Sequence, residues 1–428
     1  MTFGTSIIIL VINILGGILT ARLLGPLGKG QLTAVTLWPA VLAALGNLGL
    51  VESIVYYIGK ENGNNVKNVW SGALLLAIFQ SITLIFLGYI FLPVLMYQYS
   101  SSFIRIARYY LLFIPLNILT LYGIAIFQGR LLMGLYNLVR LLVTCSYLVG
   151  VLILALFNKL TVEYCVAILL LSNTIVLGFE LYWLRKFGWL MIGTNFKYIR
   201  KMITFGLKAH IGNISSLLNS RMDQMVMAIV LEPELLGLYV VAVTISGGVN
   251  IATSAIAIVT FPTLSNQKSI VRQKKVFTRL IRLTFWSSLT IAIFLLSVTG
   301  LLITILFGED FTPAIPSARV LIFAAIMSGM NTTLASGLRG FGKPSIPSLG
   351  ELISLAFTGV MLLLLLPKWN ILGAAMASLL AYSANFLFMY LYVWWKLSIP
   401  PQKAVFPQPE DWLFVKLLIK KYKNGVSA

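Results

Sequence analysis

The feature that most constrains this chain is a succession of apolar runs, each about 20 residues or longer, separated by short polar or Gly- and Pro-containing turns. A helix of about 20 residues spans the hydrocarbon core of a bilayer. Each run is therefore predicted to be a transmembrane helix, and the predicted fold class is an all-α integral membrane protein. The twelve predicted spans are residues 3–24, 33–58, 69–95, 103–127, 133–157, 162–184, 205–231, 235–262, 281–307, 317–338, 346–367 and 371–395.

Composition agrees with a multi-pass membrane protein. Of the 428 residues, 59% are hydrophobic and only 10% are charged, whereas soluble domains carry about 25% charged residues. The net charge of +20 would suggest nucleic acid in a soluble protein, but here the positions of the charges matter more, and no nucleic-acid partner is predicted. Cys145 and Cys165 are interpreted as small core residues. With His210 as the one histidine, a histidine-rich metal site is excluded, and neither a metal nor a cofactor is predicted.

The distribution of Lys and Arg predicts the orientation. Of the 32 Lys and Arg residues, 23 fall in the connections on one side and 7 on the other, Lys29 among the latter. Because basic loops stay in the cytoplasm, both termini are predicted to be cytoplasmic, and the protein is placed in the inner (cytoplasmic) membrane. The first span begins almost at Met1 without a basic segment or a cleavage site, so we expect it to be retained as a helix.

Two pairs of turns indicate an internal repeat. Leu24–Gly30 and Leu231–Gly237 both have the pattern Leu-x-Pro-x-x-x-Gly, and Phe127–Arg130 echoes Leu338–Phe341 at nearly the same offset. Six spans per copy is an even number, so the copies would share one orientation and be related by an axis along the membrane normal. The domains predicted on this basis are an N-terminal six-helix lobe at 1–195, a C-terminal six-helix lobe at 196–398 and a cytoplasmic basic amphipathic tail at 399–428.

Two predicted cytoplasmic segments, residues 266–282 and 410–423, mix bulky apolar side chains with several cations. This pattern is typical of helices that lie on anionic headgroups. The simpler interpretation is that both are ordinary positive-inside anchors.

The seventh predicted span, Phe205–Leu231, is unusual because it contains Lys208, His210, Arg221 and Asp223. A charged side chain within hydrocarbon costs about 2.5–3.5 kcal/mol on insertion scales, so it usually faces protein or water. At about 100° per residue, Lys208, Asn219 and Asp223 fall on one arc of the helix, and His210 and Arg221 fall on another. We therefore expect this helix to line a wet cavity, with partners for Arg221 and Asp223 on other helices.

The connections predicted on the outer side are short, which disfavours a membrane-embedded polymerase, ligase or glycosyltransferase. No Gly-rich phosphate loop of an ATPase occurs, and a single histidine leaves no plausible Ser/His/Asp set. The chain is predicted not to be an enzyme.

Several motifs resemble those of the polysaccharide-precursor flippases of the multidrug/oligosaccharidyl-lipid/polysaccharide exporter superfamily. They keep their order along nearly the whole chain and are mostly turn and packing signals. The matching stretches are Ala21–Gly30, Ser220–Gln224 followed by Gly237–Tyr239 and Ala242, Phe261–Pro262, Leu338–Pro344 and Leu372–Ala375.

This resemblance implies a MATE-like fold, in which two six-helix lobes surround a central cavity. It also implies export of a lipid-linked oligosaccharide, a polyprenyl-pyrophosphate precursor of a surface polysaccharide such as O-antigen or capsule, by alternating access. Membrane lipids, and a polysaccharide polymerase or other export machinery, are the expected partners.

The candidate substrate-path residues are Arg221, Arg140, Lys208, His210 and Asn219, and Asp223 is the candidate for ion coupling. Arginine suits phosphate because its guanidinium presents a fork of donors. Simpler roles stay open: Arg140 and Lys208 could extend to the inner headgroups, Arg221 could be a structural partner of an acid, and Asp223 could be purely structural.

Two other functions compete with the flippase. An ion-coupled multidrug exporter of the same superfamily should favour acidic side chains in the cavity, and Arg140 and Arg221 argue against a cationic drug. A membrane-embedded polysaccharide polymerase or ligase is the third alternative, which the short outer connections disfavour.

Overall fold

The structure is a computed structural model of the chain and describes residues 2–60, 66–190, 196–406 and 408. Within these ranges the chain forms α-helices and one short 3-10 helix, and no β-strand occurs there. The predicted all-α class is confirmed. The amphipathic stretch predicted at 410–423 lies outside the described residues.

The first seven helices come from the first half of the chain. They are α1 Thr2–Gly46, α2 Leu50–Lys60, α3 Val66–Leu95, α4 Ser101–Tyr110, α5 Phe113–Gly129, α6 Met133–Leu156 and α7 Val162–Lys186.

The second half begins with α8, and a 3-10 helix at Glu309–Ala314 follows α11. The helices are α8 Phe196–Val230, α9 Pro233–Ser246, α10 Gly248–Ser265, α11 Ile270–Phe307, α12 Ile315–Gly340, α13 Ser345–Leu397 and the short α14 Pro401–Val405.

Nine helices in the described ranges are long and apolar enough to cross a membrane. Helix α1 holds the first predicted span and residues 33–46 of the second, and it breaks at Gly25 (φ 66°, ψ 179°); the rest of the second span lies mostly in α2. Helix α13 holds the last two predicted spans and breaks at Asn370 (φ 47°, ψ −128°). The charged helix α8 is not among the nine, and the eighth predicted span is divided between α9 and α10. The chain is thus a multi-pass membrane protein, while the count of twelve spans stays a prediction.

The helices group into two compact units. The first holds residues up to 244 together with 302–314, and the second holds 245–301 and the residues from 315 onwards. Helix α8 and residues 233–244 of α9, which the repeat assigns to the second lobe, fall in the first unit, where α8 packs on α2 and α3. The predicted lobe boundary at 195/196 therefore does not coincide with a boundary between the compact units, and it stays a prediction.

Each unit has its own apolar core. In the first unit, α5 is buried along Ile118, Tyr122 and Ile126, and the Tyr122 hydroxyl donates to Gln80 Oε1 at 2.7 Å. In the second unit, Phe277 of α11 and Leu334 of α12 are buried in one cluster with residues of α13. Burial of this kind fixes the start of α11 beside the end of α13.

The two repeated turns pack against each other within the first unit. A Cβ atom on Gly30 would overlap the carbonyl oxygen of Pro233 and lie 3.0 Å from the Gly237 nitrogen. A Cβ atom on Gly237 would overlap the carbonyl oxygen of Pro26 and lie 2.9 Å from the Gly30 nitrogen. Glycine at both positions permits this close backbone approach.

The second pair of echoed turns shares a hydrogen-bond pattern. At the end of α5, Leu131 N donates to Gln128 O at 3.0 Å, and Leu132 N donates to Phe127 O at 2.8 Å. At the end of α12, Gly342 N donates to Arg339 O and Lys343 N donates to Leu338 O, both at 2.9 Å. Leu131 and Gly342 both have positive φ. Each helix therefore ends in a Schellman motif, in which one residue after the helix adopts the left-handed conformation.

Candidate functional site

A cavity of about 770 Å³ lies within the first unit. Its volume falls in the range of roughly 300–1,000 Å³ that small-molecule sites occupy. Helices α1, α4, α5, α6, α7 and α8 all contribute lining residues, and α1 contributes the largest share of them.

One face of α1 runs along the cavity. Lys29, Thr33, Thr36 and Ala40 follow one another at intervals of three or four residues, so their side chains share one side of the helix. The Lys29 ammonium donates to Thr20 Oγ1 at 2.9 Å and lies 3.4 Å from Gly17 O. Lys29 therefore connects the two parts of α1 across the break at Gly25.

Helix α8 supplies a second cation. Leu217, Arg221 and Gln224 lie on one stripe of α8, at intervals of four and three residues, and all three line the cavity. Arg221 Nη1 donates to Gln224 Oε1 at 3.2 Å. This bond holds the guanidinium beside an amide within the cavity wall.

The cavity is cationic and rich in neutral polar groups. The polar lining residues are Lys29, Arg221, Asn13, Asn117, Asn173, Gln224, Thr20, Thr33, Thr36, Tyr110 and Tyr147. Of the described residues that line this cavity, none is acidic. Guanidinium and ammonium groups suit phosphate oxygens, and amides and hydroxyls both donate and accept hydrogen bonds, as sugar hydroxyls require.

Close backbone contacts lie near both ends of the α1 stripe. Gly30, beside Lys29, meets the Pro233 turn at one end. Beyond the other end, a Cβ atom on Gly49 would overlap Gly206 O, and one on Gly206 would lie 2.6 Å from Leu48 O. From Gly30 to the end of α1 at Gly46 the helix advances 16 residues, about 24 Å at helical rise, which is most of the thickness of the hydrocarbon core.

Among the predicted path residues, Arg221 alone lines the cavity. Arg140 lies on α6 one turn before the cavity-lining Val143, where its Nη2 donates to Ser6 Oγ at 3.4 Å. Its guanidinium carbon is 5.2 Å from the centre of the Tyr136 ring. Arg140 is thus on the same face of α6 as the cavity, just beyond it.

Lys208 and His210 lie outside the cavity lining. Lys208 is exposed, whereas His210 is buried, with its Nε2 atom 2.9 Å from Leu45 O at the end of α1. A carbonyl oxygen can only accept, so Nε2 carries the proton and donates it. In this position His210 ties α8 to α1.

Asn219 and Asp223 are both buried and also lie outside the lining. Asp223 Oδ2 accepts a hydrogen bond from the Tyr239 hydroxyl at 2.6 Å, and Oδ1 accepts from Gln224 N at 2.7 Å. The expected partner on another helix is therefore Tyr239 of α9. Arg221 and Asp223, two residues apart on α8, therefore have different environments: Arg221 faces the cavity, and Asp223 faces protein.

Sequence reasoning missed Lys29, which it counted among the cations of the outer connections. The structure places Lys29 in α1, because the helix resumes at once after Gly25 with Pro26 in its first turn. Proline is favoured at that position of a helix. The available signal was the polar spacing Lys29, Thr33, Thr36 in an otherwise apolar segment.

Comparison with known proteins shows the family. Residues 19–316 match the family model described as polysaccharide biosynthesis protein, well over half of the chain. The chain belongs to the polysaccharide biosynthesis protein family. A Shigella flexneri protein provisionally named an O-antigen transporter is 25% identical over 368 residues, which are 83% of this chain and 87% of that protein.

Solved structures show that this family member has the MATE-like fold. The lipid II flippase MurJ in an inward closed conformation superposes with a TM-score of 0.78 at 12% identity, covering 97% of this chain and 95% of MurJ. An inward-facing multidrug resistance MATE transporter gives a TM-score of 0.73 at 15% identity, covering 89% and 94%. These superpositions confirm the predicted MATE-like fold, although the count of twelve helices stays a prediction. The family match and these transporter relatives confirm the resemblance and the assignment as a non-enzyme.

Proposed function

We propose that this protein is a flippase that exports a polyprenyl-pyrophosphate-linked oligosaccharide, a surface polysaccharide precursor, across the cytoplasmic membrane by alternating access. The observation that carries the proposal is the cavity of the first unit, where Lys29 and Arg221 line a space without acidic side chains among its described lining residues. Membership of the polysaccharide biosynthesis protein family supports a polysaccharide precursor as the class of cargo.

The chemistry of the cargo matches the lining in two respects. The pyrophosphate carries concentrated negative charge, which Lys29 and Arg221 would neutralise through charge-assisted hydrogen bonds. The glycan presents hydroxyls to the amides of Asn117, Asn173 and Gln224 and to the Thr hydroxyls of α1. The polyprenyl tail would stay in the bilayer, so the protein has only to shelter the polar head.

The candidate roles follow from position. Arg221 and Lys29 would hold the pyrophosphate, and Arg140 would stand at the approach to the cavity, one helical turn beyond Val143. Lys208 is exposed and would assist capture at the membrane surface. His210, Asn219 and Asp223 would maintain the position of α8, and the bonds of Asp223 to Tyr239 and Gln224 favour a structural role over ion coupling.

Alternating access requires that the two ends of the cavity open in turn. The contacts between Gly30 and the Pro233 turn and between Gly49 and Gly206 are suited to this, since each brings two backbones together at one end of the cavity. By the positive-inside rule, the Gly30 contact would lie on the outer side of the inner membrane, and both termini would lie in the cytoplasm. A polysaccharide polymerase, or other export machinery, would take over the delivered cargo.

An ion-coupled multidrug exporter is the second candidate, favoured by the fold shared with the MATE transporter. Two cations and no acidic group in the described lining disfavour a cationic drug. The two functions differ in what accumulates when the protein is missing.

The test is a lipid extract of cells that lack the protein, analysed by mass spectrometry. The flippase predicts accumulation of a complete polyprenyl-pyrophosphate oligosaccharide, reversed by the intact gene. A normal lipid profile together with increased sensitivity to cationic dyes would favour the drug exporter instead.

A further inference from the structure

A second pocket, of about 760 Å³, lies in the second unit at the start of α11. The first four turns of α11 form one wall, and the segment after α13 forms the other, with Ser398, Ile399, Lys403 and Gln408. Six of the lining residues are cations: Arg272, Lys274, Lys275, Arg279, Arg282 and Lys403. The described lining residues of this pocket include no Asp or Glu.

Four of these cations share one face of α11. Arg272, Lys275, Arg279 and Arg282 are spaced by three, four and three residues, so neighbouring charges lie one helical turn apart. Like charges at this spacing destabilise a helix. An anion bound in the pocket would lie beside this row of positive charges and would reduce their repulsion further.

The pocket has a fixed wall. Arg282 is 6% exposed, and its Nη1 donates to the carbonyl oxygen of Lys403. Trp286 Nε1 donates to Val405 O at 2.8 Å, one turn further along α11. These two bonds attach α14 to α11, so the cations line a built pocket, not an open surface patch.

Three exposed tryptophans lie close in sequence to lining residues of the pocket. Trp286 lies one turn beyond Arg282, and Trp394 and Trp395 lie at the end of α13, shortly before the lining residue Ser398. Exposed tryptophans mark the level of the lipid headgroups. We therefore expect the pocket to lie at the depth where the phosphates of membrane lipids are found, on the side predicted to be cytoplasmic.

We propose that this pocket binds the phosphate headgroup of an anionic membrane lipid. Cationic pockets between helices at the cytoplasmic surface are suited to such headgroups. The cations supply charge-assisted hydrogen bonds to the phosphate oxygens, and the exposed indoles pack beside the glycerol and the first acyl carbons. The proposal concerns lipid binding and does not depend on what the first-unit cavity transports.

The test compares two charge-matched triple variants of the full-length protein in detergent. R272Q/K274Q/K403Q removes three pocket cations, and K268Q/K343Q/K396Q removes three exposed cations outside the lining. Arg282 is left intact because its bond to Lys403 O holds the wall. Native mass spectrometry measures bound phosphatidylglycerol and phosphatidylcholine, and a separate titration measures inorganic pyrophosphate. Thermal unfolding without added lipid tests whether both variants are folded.

The proposal predicts that the native chain retains phosphatidylglycerol in preference to phosphatidylcholine. The pocket variant should bind phosphatidylglycerol at least about tenfold more weakly, and the control variant should keep the native affinity. Equal losses in the two variants would overturn the proposal, since they would show unspecific charge attraction. Binding of free pyrophosphate that displaces the lipid and matches its affinity would overturn it as well, in favour of a site for soluble anions.

Discussion

Gly30 and Gly237 are reciprocal partners: each glycine lies against the proline carbonyl of the turn that contains the other. The two residues occupy the same place in the repeated Leu-x-Pro-x-x-x-Gly pattern. A reciprocal contact of this kind is what an approximate two-fold relation between two similar turns produces. Because side chains are absent at both positions, two helix starts can meet backbone to backbone beside the cavity.

The first prediction concerns this contact. G30A or G237A should hold the two turns apart, because the new Cβ would overlap a backbone carbonyl that cannot rotate away. An overpacked contact costs about 1–3 kcal/mol, enough to shift a two-state equilibrium tenfold or more. Ala34, fully buried one turn after Gly30, provides a reporter: A34C should react faster with a maleimide in either variant.

The matched control is G178A on α7, where a Cβ would meet open space. Cys145 and Cys165 are replaced by alanine in all of these proteins, so that only the reporter is labelled. An unchanged labelling rate in G30A and G237A would show that the contact does not close the cavity.

The second prediction concerns the two cavity cations. K29Q and R221Q should each reduce export at least about tenfold at equal protein abundance, because a charge-assisted hydrogen bond to phosphate is worth about 1.5–3 kcal/mol. Export is measured as surface polysaccharide per molecule of membrane-inserted protein. K159Q, which removes an exposed cation outside the cavity lining, should export normally. Normal export by R221Q would show that Arg221 does not take part in transport.

His210 leads to a third prediction, on stability. H210A removes the donor to Leu45 O and leaves that carbonyl without the imidazole, so the free energy of unfolding should fall by about 1–2 kcal/mol. Thermal unfolding in detergent measures the loss, and export per folded molecule should be unchanged. For the stability measurement alone, the neighbouring K208A serves as the control, because Lys208 is exposed. Loss of export by H210A at native stability would instead place His210 in the substrate path.

Asp223 and Tyr239 allow a fourth prediction, through a double-mutant cycle. If the 2.6 Å bond between them is structural, D223N and Y239F should each destabilise the protein, with a coupling energy of about 0.5–3 kcal/mol. Export per folded molecule should survive in both variants. A D223N protein that is as stable as the native chain but cannot export would identify Asp223 as an ion-coupling group.

The sequence predicted the helices well, because a bilayer leaves few alternatives. A run such as Met133–Leu156 cannot leave its backbone polar groups unpaired in hydrocarbon, so its length and apolarity predict a helix. The Gly-Pro turn at Gly25 and Pro26 also predicted a break correctly, because the structure has a non-helical φ/ψ at Gly25. The break is a single residue, however, and the expected connection around Lys29 is helix.

The site was predicted less completely, because polarity within a span has two different causes. His210, Asp223 and Arg221 look alike in sequence, yet two of them bond to neighbouring helices and one lines a cavity. Which arc of α8 faces water depends on how α8 packs against α1 and α9. The repeat likewise aligned Gly30 with Gly237, but their direct contact is tertiary and has no signature in either turn alone.

We propose that this protein carries a lipid-linked oligosaccharide across a bilayer through the cavity that holds Lys29 and Arg221. The most direct test uses purified protein in sealed vesicles loaded with a polyprenyl-pyrophosphate oligosaccharide and treated with a membrane-impermeant glycosidase. With the native protein, cargo from the inner leaflet should become accessible to the glycosidase. With K29Q/R221Q that cargo should stay protected, as it does in cargo-loaded vesicles without protein. Equal access with the native protein and the double variant, or protection in both, would contradict the account.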